Sequence, residues 1–471
     1  MKRNTDKSRK IKCVVICIAL FLMLAAIVTV VLLSPDGGIG SLMTIPTEAT
    51  YIIFAALTLL PVLLIVMLIA ALIDRKKSKK AEAEVVYLAD AASVAVVAPT
   101  SSATEGDEPV SGRAPRFCML SAIDESRSKY DQKKFNEDIS LKRFCDNFRN
   151  FAASEMKLYY EIDDIRRFIA GLAVSSIIIL QGMSGTGKTS LAHAMGKFIE
   201  NTSTVIPVQP MWKERTDLLG YYNEFTKRFN ETLLLEKMYE ANYSRDMYIT
   251  VLDEMNIARV EYYFAEFLSL LELPPEERYV SVVSDVWDND PVQLVGGRIK
   301  LPNNMWFIGT ANNDDSTFAI SDKVYDRAMI LNLDTKAERF VAPRTKPVHM
   351  SAERFRELVE DAMREFELTK RNAKRLEELD KYLIDHFHIT FGNRIMKQIQ
   401  SYIPVYVSCG GEELEALDDI LSKKIIRKLE TQNPVYLRSS AEGLCNYLDE
   451  LFGNDAMPLC KSAIHRLERN A

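Results

Sequence analysis

Nothing in the chain narrows its fold as much as the run Gly182-Met183-Ser184-Gly185-Thr186-Gly187-Lys188-Thr189-Ser190, set between the apolar stretch Ser175 to Leu180 and a helical pattern that begins at Leu191. A strand, a glycine-rich turn and a helix in that order form the setting of a P-loop. The glycines adopt backbone angles that a side chain would forbid, so successive N–H groups converge on the oxygens of an anion. The helix that follows adds its positive end. Lys188 then bridges terminal phosphates as a point charge, and the hydroxyl of Thr189 ligates Mg²⁺. The bland alternative, a turn that binds nothing, sits poorly with the complete G-K-T ending.

A second apolar strand, Tyr248 to Leu252, runs into Asp253-Glu254. An aspartate at the end of a buried strand reaches Mg²⁺ through its water shell, and the adjacent glutamate polarises an attacking water. Alone, such a pair is usually a solvated strand end. Downstream of an intact P-loop it gains force, because a parallel sheet brings both loops to the carboxyl ends of its strands. A third apolar strand ends at Thr310-Ala311-Asn312, where the Asn312 amide either orients the water or the terminal phosphate, or merely caps a turn. Arg327 either reaches a neighbouring subunit's nucleotide or makes a surface salt bridge with Asp326.

Strand-like and helix-like segments alternate beyond the loop: Thr204 to Val208, Leu233 to Ala241, Met247 to Leu252 and Tyr262 to Leu271. Such alternation signals a parallel sheet covered by helices. Two helices precede the first strand, with apolar positions at Leu141, Phe144, Phe148 and Phe151 and at Ile162, Ile165, Phe168 and Ile169. Tyr279 to Lys300 reads as a hairpin inserted before the strand Met305 to Thr310. Past about Met350 only helical periods recur, over Ala352 to Phe387, Arg394 to Val407, Glu412 to Leu429, Ala441 to Phe452 and Leu459 to Arg469. The expected architecture is an α/β nucleotide-binding domain over 136–348 and an all-helical domain over 349–471.

Ahead of these lie two uncharged apolar runs, Cys13 to Leu33 and Tyr51 to Ile73. Each reaches the roughly 20 residues that cross a bilayer, and a membrane helix tolerates the Pro61 in the second. The first is too long for the core of a cleaved signal peptide and lacks an A-x-A exit. Lys2, Arg3, Lys7, Arg9, Lys10 and Lys12 precede the pair and Arg75, Lys76, Lys77, Lys79 and Lys80 follow it, whereas the loop from Ser34 to Thr50 carries only Asp36 and Glu48. The positive-inside bias therefore puts both ends in the cytoplasm. Residues 1–80 read as a two-helix transmembrane hairpin, multi-pass in the cell membrane, with the N-terminus and the nucleotide-binding domain cytoplasmic. Residues 81–135 read as a flexible linker, too poor in apolar residues to order itself. The net charge of −6 offers no broad positive field, so nucleic acid is the less favoured partner. The seven cysteines form no C-x-x-C pair and read as reduced thiols. His386 and His388 alternate about Phe387 as on an extended segment, without the third ligand a metal site needs.

With the P-loop, LDEMNIARVEYYFAEFLSLLE, FIGTANNDDSTFAISDKVYDRA and FGNRIMKQI in that order, the chain resembles the AAA+ superfamily of ATPases over about Ile139 to Arg469. More narrowly it resembles the McrB-type branch, grouped with dynein-related and MoxR-like ATPases, whose insert after the second strand is similar to Val208 to Tyr222. The resemblance implies that Asn312 is sensor 1, Arg327 the arginine finger, Arg394 sensor 2 in a helical lid, and Arg259 a further intersubunit charge. It also implies a homo-oligomeric ring, a hexamer, in which the finger acts in trans. After the sensor strand the sequence Asn312-Asn313-Asp314-Asp315-Ser316 departs from the McrB GTPases, which favours ATP, with Mg²⁺, over GTP. A membrane hairpin in place of their DNA-binding domain argues against restriction of modified DNA.

The expected function is a membrane-anchored ATPase whose ring remodels or moves a protein partner, using nucleotide-driven closure. Two rivals belong to other classes. A motor subunit working with a nuclease in DNA defence predicts a basic strip facing the ring pore. A nucleotide-binding scaffold without turnover predicts a damaged site, yet Lys188, Thr189, Asp253 and Glu254 are all present.

Overall fold

The computed structural model describes residues 114–127, 134–312, 317–334 and 337–470. Both expected membrane spans and most of the expected linker lie outside them. Among the described residues no helix is long and apolar enough to cross a membrane.

A short helix, α1 (Met119–Arg127), comes first, followed by α2 (Leu141–Met156) and α3 (Ile162–Val174). Ser140 starts α2 by accepting from the N–H of Arg143, one of the orphan donors of a helix start. The α/β module then runs through β1 (Ile177–Gln181), α4 (Lys188–Phe198), β2 (Thr204–Pro207), α5 (Thr216–Leu219), β3 (Gly220–Asn223), β4 (Arg228–Glu231), α6 (Leu233–Ala241) and β5 (Tyr248–Asp253). It continues with α7 (Val260–Tyr263), α8 (Ala265–Leu270), β6 (Tyr279–Ser281), β7 (Leu294–Val295), β8 (Arg298–Lys300), β9 (Met305–Ala311), α9 (Asp322–Tyr325) and β10 (Met329–Asn332).

Five strands form one sheet in the order β10-β1-β9-β5-β2, and every neighbouring pair is parallel. Successive residues of the central strands face two different cores. Ile178 and Leu180, Ile249 and Val251, and Ile308 join one; Ile177 and Ile179, Leu252 and Phe307 join the other. Burial on both faces explains why these strands read as continuous apolar runs. The expected hairpin over 279–300 is a three-stranded antiparallel sheet, β6-β8-β7, and β3 with β4 forms a second hairpin between β2 and α6.

The chain closes with α10 (Ala352–Glu365), α11 (Lys370–Phe387), α12 (Gly392–Ser408), α13 (Glu413–Lys424), α14 (Pro434–Phe452) and α15 (Pro458–Asn470), with a 3₁₀ segment, Ile426–Thr431, after α13. The helical run expected from Ala352 to Phe387 breaks at 366–369, where Thr369 accepts from the N–H of Asn372 and starts α11 anew. His386 and His388 are not on an extended segment. His386 lies in the last turn of α11, and His388 caps it with φ at 54°. Ile399, Tyr402 and Ile403 of α12 share one apolar cluster with Phe144, Phe168 and Ile178, so the helical module is joined to the sheet by a continuous core. Asp419 seals that junction: 1% exposed, it takes hydrogen bonds from Tyr402 (2.7 Å) and Lys423 (2.5 Å) and pairs with Arg167 on α3.

Of the linker expected over 81–135, residues 114–127 are ordered instead. Residues 114–127 are packed on the α/β module, because a few anchors do what average composition does not show. Phe117 stacks on Phe229 at 4.9 Å between ring centres. The N–H groups of Cys118, Met119 and Leu120 all donate to Glu231, and Asp124 accepts from the hydroxyls of Tyr239 and Tyr243 and from the N–H of Val292.

At the junction with the turn after α9, Lys424 is 2% exposed and donates to the carbonyls of Tyr325 (2.7 Å) and Ala328 (2.5 Å). Burial pushes this amine down to about 7; Asp326 opposes the shift, and Arg427, Lys428 and Arg394 reinforce it. Between about 7 and the ordinary 10.5 the unfolded chain holds a proton that the folded chain has released. Stability from this group therefore rises with pH across that window and is lost as pH falls through the folded value. Relative to Lys424→Met, the wild-type chain is expected to gain roughly 2 kcal/mol between pH 7 and 9, read by denaturant unfolding at both pH values. A difference that stays constant with pH would show an unshifted lysine.

Candidate active site

Because the five strands run parallel, their carboxyl ends share one edge. The registers Gln181↔Ala311 and Leu252↔Gly309 set the segments after β1, β5 and β9 side by side there. That edge is where open α/β sheets bind ligands. Residues 182–187 turn out from β1, and Lys188 opens α4. All three loop glycines are demanded by the backbone, Gly185 with φ at 78°. Gly182 has φ at 143°, and a Cβ there would meet the carbonyl oxygen of Leu333 at 2.3 Å; Gly187, the N-cap of α4, has φ at 95°. Tyr160 donates its hydroxyl to the carbonyl of Gly187 at 3.0 Å and supports the loop from below. Lys188 is 7% exposed, and its ammonium bridges the carbonyls of Gly182 and Met183, both at 2.8 Å. A buried ammonium needs acceptors, and the loop itself provides them.

Thr189 and Asp253 meet as the sequence motifs anticipate, the hydroxyl donating to Oδ1 at 2.7 Å. Thr310 donates to the same oxygen at 2.9 Å and accepts from the N–H of Glu254 at 2.9 Å. One hydrogen-bonded chain thus runs from α4 through the end of β5 to β9. Glu254 takes left-handed angles, φ 52° and ψ 46°, which a glutamate adopts only where its surroundings impose them. Thr310 was absent from the sequence candidates. Its one signal is a hydroxyl within a wholly buried apolar strand, where a polar group must find a partner. The Thr189 hydroxyl and the Asp253 carboxylate are hard oxygen donors of the kind Mg²⁺ takes while keeping several waters, so the residues fit that ion.

Asn312 follows the end of β9. Its carbonyl accepts from the side chain of Asn256 at 2.8 Å, and the side-chain oxygens of both asparagines are buried with no hydrogen-bond donor among the described residues. An open buried acceptor marks a place where a donor can be received. Both residues line a cavity of about 1080 Å³ between the sheet edge and the helical module, with Gln181, Asp334, Lys423 and Arg427 also on its wall.

Arg327 and Arg394 come together on one carboxylate: Glu272 pairs with Arg327 at 3.2 Å and with Arg394 at 2.6 Å. The sequence candidates therefore fall into two groups, the loop, Asp253, Glu254 and Asn312 at the sheet edge, and the two arginines at Glu272. Arg259 is about half exposed and faces the rings of Tyr262 and Phe318.

Residues 177–328 match the family model described as AAA domain (dynein-related subfamily). Residues 344–471 match that of a domain of unknown function, DUF8727. No curated protein matches the chain. Among solved structures it is similar to a Cytophaga hutchinsonii protein proposed to be an ATPase, at 15% identity and a TM-score of 0.44, over 70% of this chain and 97% of that one. It is also similar to a full-length MCM homolog of Methanopyrus kandleri, at 14% identity and a TM-score of 0.33, over 67% and 62% of the two chains. At that distance neither assigns an activity. The AAA+ core anticipated from the motifs holds for residues 177–328, at the level of the dynein-related subfamily.

Proposed function

We propose that the chain is an ATP hydrolase working as a ring of identical subunits, a hexamer, which remodels or moves a protein partner at the cytoplasmic face of the cell membrane. The hydrogen-bonded chain of Thr189, Asp253, Thr310 and Glu254 carries this reading, since it unites the phosphate loop, a metal-holding carboxylate and a candidate base at one sheet edge. Phosphate oxygens take over from the carbonyls of Gly182 and Met183 as acceptors for Lys188. Thr189 and Asp253 would hold Mg²⁺, which neutralises charge on the phosphates when bound. Glu254 polarises the attacking water, and its backbone N–H is pinned by Thr310 so that the carboxylate keeps its direction. Asn312 offers its open amide oxygen to the same water.

Arg327 serves the neighbouring subunit's nucleotide, with Arg394 as a second cation beside it. Glu272 holds both until a neighbour presents phosphate. A finger supplied from another chain makes hydrolysis depend on assembly, because its charge is placed only in the ring. The membrane hairpin and its orientation rest on the apolar runs and their basic flanks, and the McrB-type branch on the order of motifs.

Full-length Arg327→Ala and Glu254→Gln chains, mixed in detergent micelles, test this reading. Each is expected to be strongly impaired alone, and phosphate release is expected to return in the mixture, because Glu254→Gln subunits lend Arg327 to Arg327→Ala neighbours. Silence from mixed rings of verified composition would exclude a finger acting in trans. A wild-type chain that releases no phosphate from ATP would exclude the activity itself.

A further inference from the structure

The helix α9 has four residues and ends two positions before Arg327. So short a helix cannot hold its own conformation, since nucleation costs more than its few hydrogen bonds return. It is held from outside. The carbonyls of four consecutive residues each accept from a side chain: Tyr325 from Lys424 at 2.7 Å, Asp326 from Gln398 at 3.1 Å, Arg327 from Ser175 at 2.9 Å, and Ala328 from Lys424 at 2.5 Å. Three of these four bonds come from the helical module, from α12 and the end of α13. The 3₁₀ segment adds Arg427, which pairs with Asp322 at 2.8 Å and lies 4.2 Å from the centre of the Tyr325 ring. The same tyrosine is tied to the end of β1, because Gln181, the residue before Gly182, donates its side-chain amide to the Tyr325 hydroxyl.

This arrangement leaves the Arg327 backbone no freedom of its own while its guanidinium stays partly exposed at Glu272. A side chain that must reach a phosphate on another subunit needs such a fixed base, since small displacements of a catalytic group are costly. We propose that Lys424, assisted by Gln398, is a positioning residue for Arg327, so that the helical module of one subunit sets the efficiency of hydrolysis in the next. The inference rests on the reading of Arg327 as a finger acting in trans. It gives the region matched only by a domain of unknown function a defined task in the reaction. Lys424 is suited to it: nearly free of solvent, it spans two carbonyls on either side of the arginine with one nitrogen, which no purely aliphatic side chain can do.

The mixed-ring experiment, run on the full chain, separates this role from general damage to the fold. The donor is Glu254→Gln, which keeps Arg327, and the acceptor is Arg327→Ala, which keeps its own base. Lys424→Met added to the donor is expected to lower phosphate release by about a hundredfold, the loss typical of a catalytic group displaced by an ångström. The same substitution added to the acceptor is expected to change it less than about threefold, because the acceptor's own finger is already absent. Gln398→Leu, which removes one bond instead of two, repeats the asymmetry with a smaller loss and guards against a fold too damaged to assemble. An equal loss in donor and acceptor, or none in the donor, overturns the proposal. Silence of the unmodified pair overturns the trans finger first, and this inference with it.

Discussion

Turnover of the full-length chain is expected to fall by about 10²–10⁴ in Glu254→Gln while ATP still binds, as for loss of a general base. Glutamine keeps the size of the side chain, and its N–H still donates to Thr310, so the left-handed turn at the end of β5 survives. What goes is the carboxylate proposed to polarise water. Lys188→Ala is expected to behave differently and to lose binding as well, since it removes the ammonium that now holds two loop carbonyls and would hold phosphate. Steady-state phosphate release and equilibrium binding of a fluorescent ATP analogue distinguish the two. Turnover of Glu254→Gln within about threefold of wild type would remove it from the role of base.

Arg116→Ala is expected to destabilise the α/β module by about 3–5 kcal/mol, the range for breaking a buried ion pair. Its guanidinium, 1% exposed, grips both carboxylate oxygens of Asp290, at 2.8 and 2.7 Å, and also Asp285 at 2.8 Å. The face of Trp287 lies 4.5 Å away. The Asp290 side chain, 5% exposed beside the arginine, would lose that counter-charge. Most of the cost lies in that stranded charge, so Arg116→Ala combined with Asp290→Asn is expected to be less damaging than Arg116→Ala alone. Denaturant midpoints of the single and double variants measure this. A single-variant loss below about 1 kcal/mol would place the segment 114–127 outside the cooperative fold, since surface pairs are worth no more than that.

The parts legible in the sequence are those whose chemistry is local. The P-loop announces itself because glycine positions, the lysine and the threonine lie within one turn of chain, and the strands announce themselves because burial on both faces makes them apolar throughout. Asp253-Glu254 is readable as the end of such a strand. Thr310 is not, since a threonine within a strand is ordinary until its neighbours across the sheet are known to be Asp253 and Glu254. The packing of 114–127 escaped composition for a similar reason: Arg116 and Phe117 find their partners in residues 229 to 290, far along the chain. Arg327 and Arg394 could each be singled out by motif, but their meeting at Glu272 joins three segments that no spacing relates.

Short-range pattern was thus sufficient to establish a strand, loop and helix built for phosphate, a second acidic strand end, and a helical tail, since hydrophobic period and glycine placement act over a few residues. Folding in three dimensions decided the rest. It fused the helical tail to the sheet through one continuous core, threaded Thr310 between Asp253 and Glu254, and placed Lys424 on the turn that carries Arg327. Each of these depends on residues from separate elements coming within hydrogen-bond distance, and that distance is set by packing of the whole core and not by any stretch of sequence.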